Sequence, residues 1–179
     1  MKHFPEREAQ AHAYAEFLKG PGIERGLIGP READRIWERH ILNCIPVSTL
    51  MKERASVIDI GSGAGLPGVV IALARPDLKV TLLEPLQRRV NFLEEAVVGL
   101  GISVKRGKAE AEKGQYDYVT ARAVAPLSKL WAISKHLIKP GGSLLAMKGE
   151  AAQAEAAEIP GAIVHKITLE GIPLARVVE

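Results

Sequence analysis

Apolar residues recur along this chain with two different periods, and the change from one to the other predicts its architecture. Residues 6–18 carry Ala9, Ala13, Phe17 and Leu18 at helical spacing, and Gly20-Pro21-Gly22 follows as a stop. Gly29-Pro30 opens a second helical stretch with Ile36, Trp37, His40, Ile41, Cys44 and Ile45 on its apolar side. Past residue 56 short β-favouring runs alternate with helical ones. Strands are predicted over 57–60, 78–83, 102–105, 116–121 and 143–148. The helices between them are 69–74, a run from Leu86 with Val90, Leu93, Val97 and Leu100 on one face, and a run from Pro126 carrying Leu127, Leu130, Trp131 and Leu137. Lys139-Pro140-Gly141-Gly142 reads as a turn, and an Ala/Glu-rich helix is predicted over 150–158. Two last strands, 162–169 and 174–178, read as a hairpin edge with Gly171 and Pro173 in its turn.

The stretch Val57-Ile58-Asp59-Ile60-Gly61-Ser62-Gly63-Ala64-Gly65-Leu66-Pro67-Gly68 organises this pattern. An apolar strand that ends in glycines and turns into a helix makes the ligand crevice of an open α/β sheet. Two ligands compete for it. Gly63-Ala64-Gly65-Leu66-Pro67-Gly68 fits the dinucleotide pattern G-x-G-x-x-G, while Asp59-x-Gly61-x-Gly63-x-Gly65 fits the acidic-glycine pattern for S-adenosylmethionine (SAM). A pyrophosphate needs the first glycine at the strand end and the helix N-terminus beneath it. Counting from Gly61 puts Leu66 where the third glycine should stand, and Asp59 suits a cationic amino-acid moiety better than a phosphate bridge. The register favours SAM. Strand–helix alternation closed by two strands with no helix between them then predicts an α/β fold. It is the class I SAM-dependent methyltransferase (Rossmann-like) sheet, mostly parallel, with seven strands and a final antiparallel strand. A single domain over 1–179 is expected, with a helical extension (1–53) packed on the SAM-binding core (54–179).

Composition narrows the class without naming a substrate. The 179 residues, 47% hydrophobic and 25% charged, suit one globular domain. One cysteine excludes a disulfide framework and a Cys-rich zinc site, and scattered histidines show no ligand spacing, so no metal is expected. The absence of an apolar run of about 20 residues, or of a signal-like start, points to a cytoplasmic protein with no membrane partner. A net charge of +3 leans toward an anionic partner, while 4% aromatic content argues against a stacking platform for single strands. No exposed apolar stripe is evident, and a monomer is expected.

Ligands of an open α/β sheet bind at the carboxyl ends of its strands. Glu84 ends the second strand, where a carboxylate accepts ribose hydroxyls. Ala109-Glu110 follows the third, near an adenine, where the alternative is a solvated turn. Arg122 follows the fourth, where a methyl donor meets its acceptor, placed to contact the SAM carboxylate or an RNA phosphate. His40 and Cys44, one turn apart, read as core rather than as ligands, and Arg31, Arg35, Glu38 and Arg39 as a solvated face. No Asn/Asp-Pro-Pro-Tyr/Phe motif follows the fourth strand and no Pro-Cys nucleophile is present, which disfavours exocyclic-amine and pyrimidine C5 methylation. No Ser-His-Asp arrangement or P-loop is evident.

These segments, together with Leu83-Glu84-Pro85, Arg88-Arg89-Val90-x-Phe92-Leu93, Lys108-Ala109-Glu110, Thr120-Ala121-Arg122-Ala123-Val124-Ala125-Pro126-Leu127 and Met147-Lys148-Gly149, resemble RsmG. That is the family of bacterial 16S rRNA guanine-N7 methyltransferases, formerly called glucose-inhibited division protein B. Trp37-Glu38-Arg39-His40-Ile41-Leu42-Asn43 is similar to its N-terminal helix. The resemblance implies methyl transfer from SAM to N7 of one guanine in the decoding-site hairpin of 16S rRNA, within the 30S subunit or a precursor. It also implies that Gly61, Leu66, Ala109, Glu110 and Arg122 contact the cofactor, beside Asp59, Gly63 and Glu84. Guanine N7 carries a lone pair and no proton, so no general base is expected; Arg122 and then Lys148 are the candidates for positioning at the reaction centre. Arg88, Arg89, Lys105, Arg106 and Lys108 are candidate RNA-phosphate contacts. The segments at Gly114-Gln115 and after Gly149 are shorter than the family's, which usually runs past the position of Glu179 with a few more, often basic, residues. A small-molecule SAM methyltransferase, a SAM-binding ribosome-assembly factor without catalysis, and a nicotinamide-dependent oxidoreductase are the alternatives.

Overall fold

A computed structural model of the protein describes residues 3–179. The chain enters through helix α1 (Glu8–Phe17) and the glycine strand is β1 (Ser56–Ile60), which leads into α2 (Gly68–Ala74). There follow β2 (Lys79–Glu84), α3 (Gln87–Ala96), β3 (Ser103–Arg106), β4 (Tyr116–Arg122), α4 (Leu127–Ser134), β5 (Ile138–Lys148), α5 (Ala152–Ala157), β6 (Val164–Leu169) and β7 (Ile172–Val178). The seven strands form one sheet in the order β3-β2-β1-β4-β5-β7-β6. The pairs from β3 to β5 are parallel, and β7 lies antiparallel between β5 and β6. The order steps outward from β1 in both directions, so the crevice of such a sheet opens above the carboxyl ends of β1 and β4.

Neighbouring residues of one strand serve opposite faces. Val57 joins an apolar layer with Tyr14, Leu18, Val69, Val70 and Phe92, so α1, α2 and α3 cover that side. Ile58 joins a second layer with Val119, Leu127, Leu130 and Ala156 beneath α4 and α5. Burial on both faces is why β1 and β4 read as nearly continuous apolar runs.

The N-terminal part departs from the two simple helices expected. Gly20-Pro21-Gly22 does not end the first helix: Leu18–Gly22 continues it as a wider π-helical turn, with Leu18 and Gly22 buried. Packing of Leu18 against the core overrides the local break. The second helix is divided into a 3-10 turn (Pro30–Arg35), a π-helical segment (Ile36–Ile41) and two further 3-10 turns, Leu42–Cys44 and Pro46–Leu50. Pro46, which brings no N–H, separates the last two. β5 also begins earlier than expected. Tyr116 pairs with Ile138 and Tyr118 with Ser143, so residues 139–142 bulge out of the ladder with Gly141 at φ +79. The predicted turn therefore lies inside the strand. Gly142 passes so close to the Asp117 carbonyl that a Cβ would collide with it. Trp131, expected on the apolar face of α4, is 42% exposed, and Pro173 lies within β7 rather than in the turn before it.

Candidate functional site

The glycine loop is shaped from below. Asp59 is wholly buried, and its Oδ2 accepts the Gly68 N–H at 2.9 Å, tying the end of β1 to the first residue of α2. A Cβ on Gly68 would lie 2.7 Å from that oxygen, which explains a glycine at this point. Asp59 Oδ1 has no partner, and burial pushes the carboxyl up to about 7 against the hydrogen bond from Gly68. Expected to face a cationic ligand group, Asp59 is instead enclosed under the loop, and it is not among the residues that line the crevice.

Above it Gly61, Gly63 and Gly65 all take positive φ (+64, +57 and +97), where side chains are strained. The Ser62 N–H donates to Leu83 O at 3.1 Å, and the Tyr14 hydroxyl reaches from α1 to donate to Ala64 O at 2.7 Å. Glu84, 1% exposed, accepts the Gly63 N–H at 2.9 Å through Oε2 and the Leu86 N–H at 3.1 Å through Oε1. The carboxylate thus braces the loop, with Arg89 Nη1 4.0 Å from Oε1; like Asp59 it is not among the residues that line the crevice, though each oxygen keeps a further lone pair.

Two cavities meet at the carboxyl end of β4. A cleft of about 230 Å³ is lined by Gly61, Ser62, Gly63, Ala64 and Leu66, with Leu27, Ile28 and Gly29 opposite. A trough of about 530 Å³ is lined by Arg39, Asn43, Met147, Lys148, Gly149 and the β7 residues Pro173 to Arg176. Glu32, His40, Arg122 and Ala123 line both. They form the partition. Arg122 Nη2 donates to His40 Nδ1 at 2.7 Å and Nη1 donates to Cys44 Sγ at 3.4 Å. Because a guanidinium only donates, His40 Nδ1 must accept, which leaves the proton on Nε2 to donate to Glu32 Oε2 at 3.0 Å. Arg39 Nη1 closes the chain on Glu32 Oε1 at 3.2 Å. Burial, and then the Arg122 charge, hold the His40 imidazole below its ordinary 6.5, and burial pushes the Cys44 thiol up to about 11. At neutral pH both are uncharged, and the guanidinium rests on two neutral acceptors. Ala123 follows at φ +52, a strained conformation for a residue with a Cβ.

The other expected residues separate into groups. Lys148 stands on the trough, where its Nζ donates to Ala125 O at 2.7 Å and pairs with Glu155 at 3.0 Å. Ala109 is buried and Glu110 exposed in a single 3-10 turn after β3. Arg88, Arg89, Lys105, Arg106 and Lys108 gather at the β2–β3 side of the sheet, away from the trough. Lys105 is paired there with Glu112 at 3.2 Å, and Arg106 Nε donates to Pro85 O. Cys44 is core as expected, but His40 is not: it faces both cavities and bridges Arg122 to Glu32. Arg39, expected on a solvated face, lines the trough. Glu32, which the sequence does not single out, has its own partners close by, Arg39 and His40 seven and eight residues on, and it joins the site only through the contact of His40 with Arg122. His40 lies 82 residues from Arg122, and no spacing in the sequence announces that pairing.

Comparison with known proteins supplies the family. The GidB family, described as rRNA small subunit methyltransferase G, matches residues 7–174. The chain is 55% identical over 155 residues to the ribosomal RNA small subunit methyltransferase G of Mycolicibacterium gilvum, covering 83% of this chain and 68% of that one. It is 56% identical over 160 residues to the protein of that name in Thermobifida fusca, covering 87% and 68%. Among solved structures, a ribosomal protein L11 methylase from Lactobacillus delbrueckii subsp. bulgaricus superimposes with a TM-score of 0.58 at 17% identity, over 77% of this chain and 76% of that one. The sheet is that of the class I methyltransferases.

Proposed function

The chain belongs to the rRNA small subunit methyltransferase G family, and on that premise we propose that it moves the methyl group of SAM to N7 of one guanine in the decoding-site hairpin of 16S rRNA. The observation that carries this reading is the shared wall at the end of β4, where a glycine-lined cleft and a cation-lined trough are one arginine apart. The cleft fits the cofactor. A Cβ built on Gly63 would meet nothing nearer than 3.9 Å, so open space lies over that backbone, and Glu84 beside it keeps lone pairs for hydroxyl donors. SAM, when bound, supplies a methyl group on a positively charged sulfur.

The residues of the partition hold and orient. His40 cannot act as a base while its one free lone pair is engaged by Arg122, and guanine N7 needs none. Arg122 is held in place from beneath by His40 and Cys44, which suits a group that aligns donor and acceptor. Methylation at N7 leaves positive charge on the base, and Glu32 is the one carboxylate among the residues lining both cavities, placed to offset it. Lys148 is the second positioning group, at the trough's rim.

The acceptor is rRNA in the 30S subunit or a precursor, and the chain acts as a cytoplasmic monomer of one domain. No helix of the described residues is long and apolar enough to cross a membrane. The test uses isotopically labelled SAM and 30S subunits from a strain lacking this enzyme, with the digested RNA analysed by mass spectrometry. Label in 7-methylguanosine at one site is expected. Label in another nucleoside, or none from a protein that binds SAM, refutes the assignment.

A further inference from the structure

The ladder of the last three strands sets three cations side by side. Lys148 of β5 is paired with Arg176 of β7, and Arg176 is paired in turn with Lys166 of β6. Directly paired residues of antiparallel strands point to the same face, so the three form a row across neighbouring strands about 4.8 Å apart. Like charges set opposite one another in a ladder disfavour the fold, and a row of them needs a compensating anion. Glu155 supplies one for Lys148 only. Among the described residues the side chains of Arg176 and Lys166 have no hydrogen bond or ion pair, and Lys166 is exposed. Lys148 and Arg176 also line the trough, and Arg39 lines it from the N-terminal segment.

The row is better placed than the cations of the opposite side. In the strand order β7 is two strands from β4, about 10 Å, and β6 and β3 are each three, about 14 Å; what sets the row apart is that Lys148 and Arg176 line the trough, as no cation of β3 does. A nucleotide whose base meets the methyl donor at Arg122 therefore carries its backbone past β5 and β7. We propose that Arg176 and Lys166, beside the Glu155-paired Lys148, bind consecutive phosphates of the rRNA strand next to the acceptor guanosine, with the base lodged in the trough against Arg122. This rests on the rRNA reading given above.

The test measures binding of a small-subunit rRNA transcript between 50 and 200 mM salt, together with label transfer from SAM. Each phosphate contact contributes about 0.7–0.9 to the slope of log K against log salt. The double variant Lys166→Gln/Arg176→Gln should therefore bind more weakly with a slope shallower by about 1.4–1.8. Its KM for RNA should rise while kcat at saturating RNA holds. Arg176→Lys, which keeps the charge, should keep the slope, as should Lys79→Gln at the amino end of β2. Removing a like-charge pair should leave thermal stability at or above that of the wild type. Should the double variant fold poorly, Lys166→Gln alone carries the measurement with half the change in slope. A slope equal to that of Lys79→Gln, in a protein that still methylates rRNA, overturns the row and leaves the function standing. A wild-type protein that neither labels rRNA nor binds it removes the function and this inference together.

Discussion

Asp59 offers the sharpest physical test, because burial and helix geometry pull its ionisation in opposite directions. The carboxyl is fully enclosed, one oxygen has no partner, and its pKa is raised from 3.8 to about 7, with burial the leading cause. A raised folded-state value means that the native protein binds the proton more tightly than the unfolded chain. The stabilisation is fully present below 3.8 and is lost as pH rises through about 7. A shift of about three units corresponds to about 4 kcal/mol in all, of which roughly 2–3 kcal/mol falls between pH 5 and pH 8. Asp59→Asn keeps a carbonyl to accept the Gly68 N–H and cannot ionise. Its amide places a donor where no acceptor stands, so it is expected to be the less stable protein at pH 5. Asp77, held near 2 by Arg75, titrates well below this range, and the groups that remain are common to both proteins and cancel in the difference. Urea denaturation at pH 5, 6, 7 and 8 should show the variant gaining about 2–3 kcal/mol on the wild type across the series. A difference that stays flat would mean that Asp59 is ionised in the folded protein throughout, and that the N-terminus of α2 outweighs burial.

Three further outcomes follow from the same geometry. Tyr14→Phe strips the buried Ala64 carbonyl of its donor and should cost about 1–3 kcal/mol in denaturant unfolding, with a weaker SAM-induced thermal shift. Gly63→Ala puts a side chain at φ +57 and a methyl group into the cleft; SAM affinity should fall at least tenfold by calorimetry, while the far-ultraviolet spectrum stays native. His40 has a folded-state pKa below 6.5, so its contribution to stability is present above 6.5 and is lost as pH falls through the lower folded value. Protonation at Nδ1 would set a proton against Arg122, so methyl transfer should decline as pH falls through the lowered His40 value, somewhere below 6.5, and His40→Gln should flatten that acid limb in a pH–rate profile.

What could be read from the sequence was whatever is decided locally. β1, the glycine loop and α2 lie within one short stretch, so a strand running into glycines and a helix is visible before any folding. The seven strands and the antiparallel last one follow from alternation and from the missing helix between β6 and β7. Tertiary choices stayed hidden. Pro21 predicts a stop, yet the buried Leu18 and Gly22 carry the helix through it. His40 and Cys44 share a helical spacing that reads as core; both meet Arg122, 82 and 78 residues away, yet only His40 reaches the cavities while Cys44 stays buried, and no local pattern separates them. Arg176 carries no signal in its own neighbourhood. Its meaning comes from the register of β7 against β5 and β6, a property of strand pairing.

The place of β7 also orders events in time. β6 leaves the ribosome before β7, yet it reaches the sheet only through β7, which must first be laid against Ala146, Met147 and Lys148 of β5. Until then β5 has an open edge, and the emerging chain has no closed trough and only one cation of its row in place. Such non-local pairing is a slow part of folding, because the loop must close before its contacts form. An unfinished chain therefore lacks the wall of the trough that Pro173, Leu174, Ala175 and Arg176 supply. The trough is the last part of the crevice to be completed, and the glycine cleft, which takes no residue from β7, precedes it.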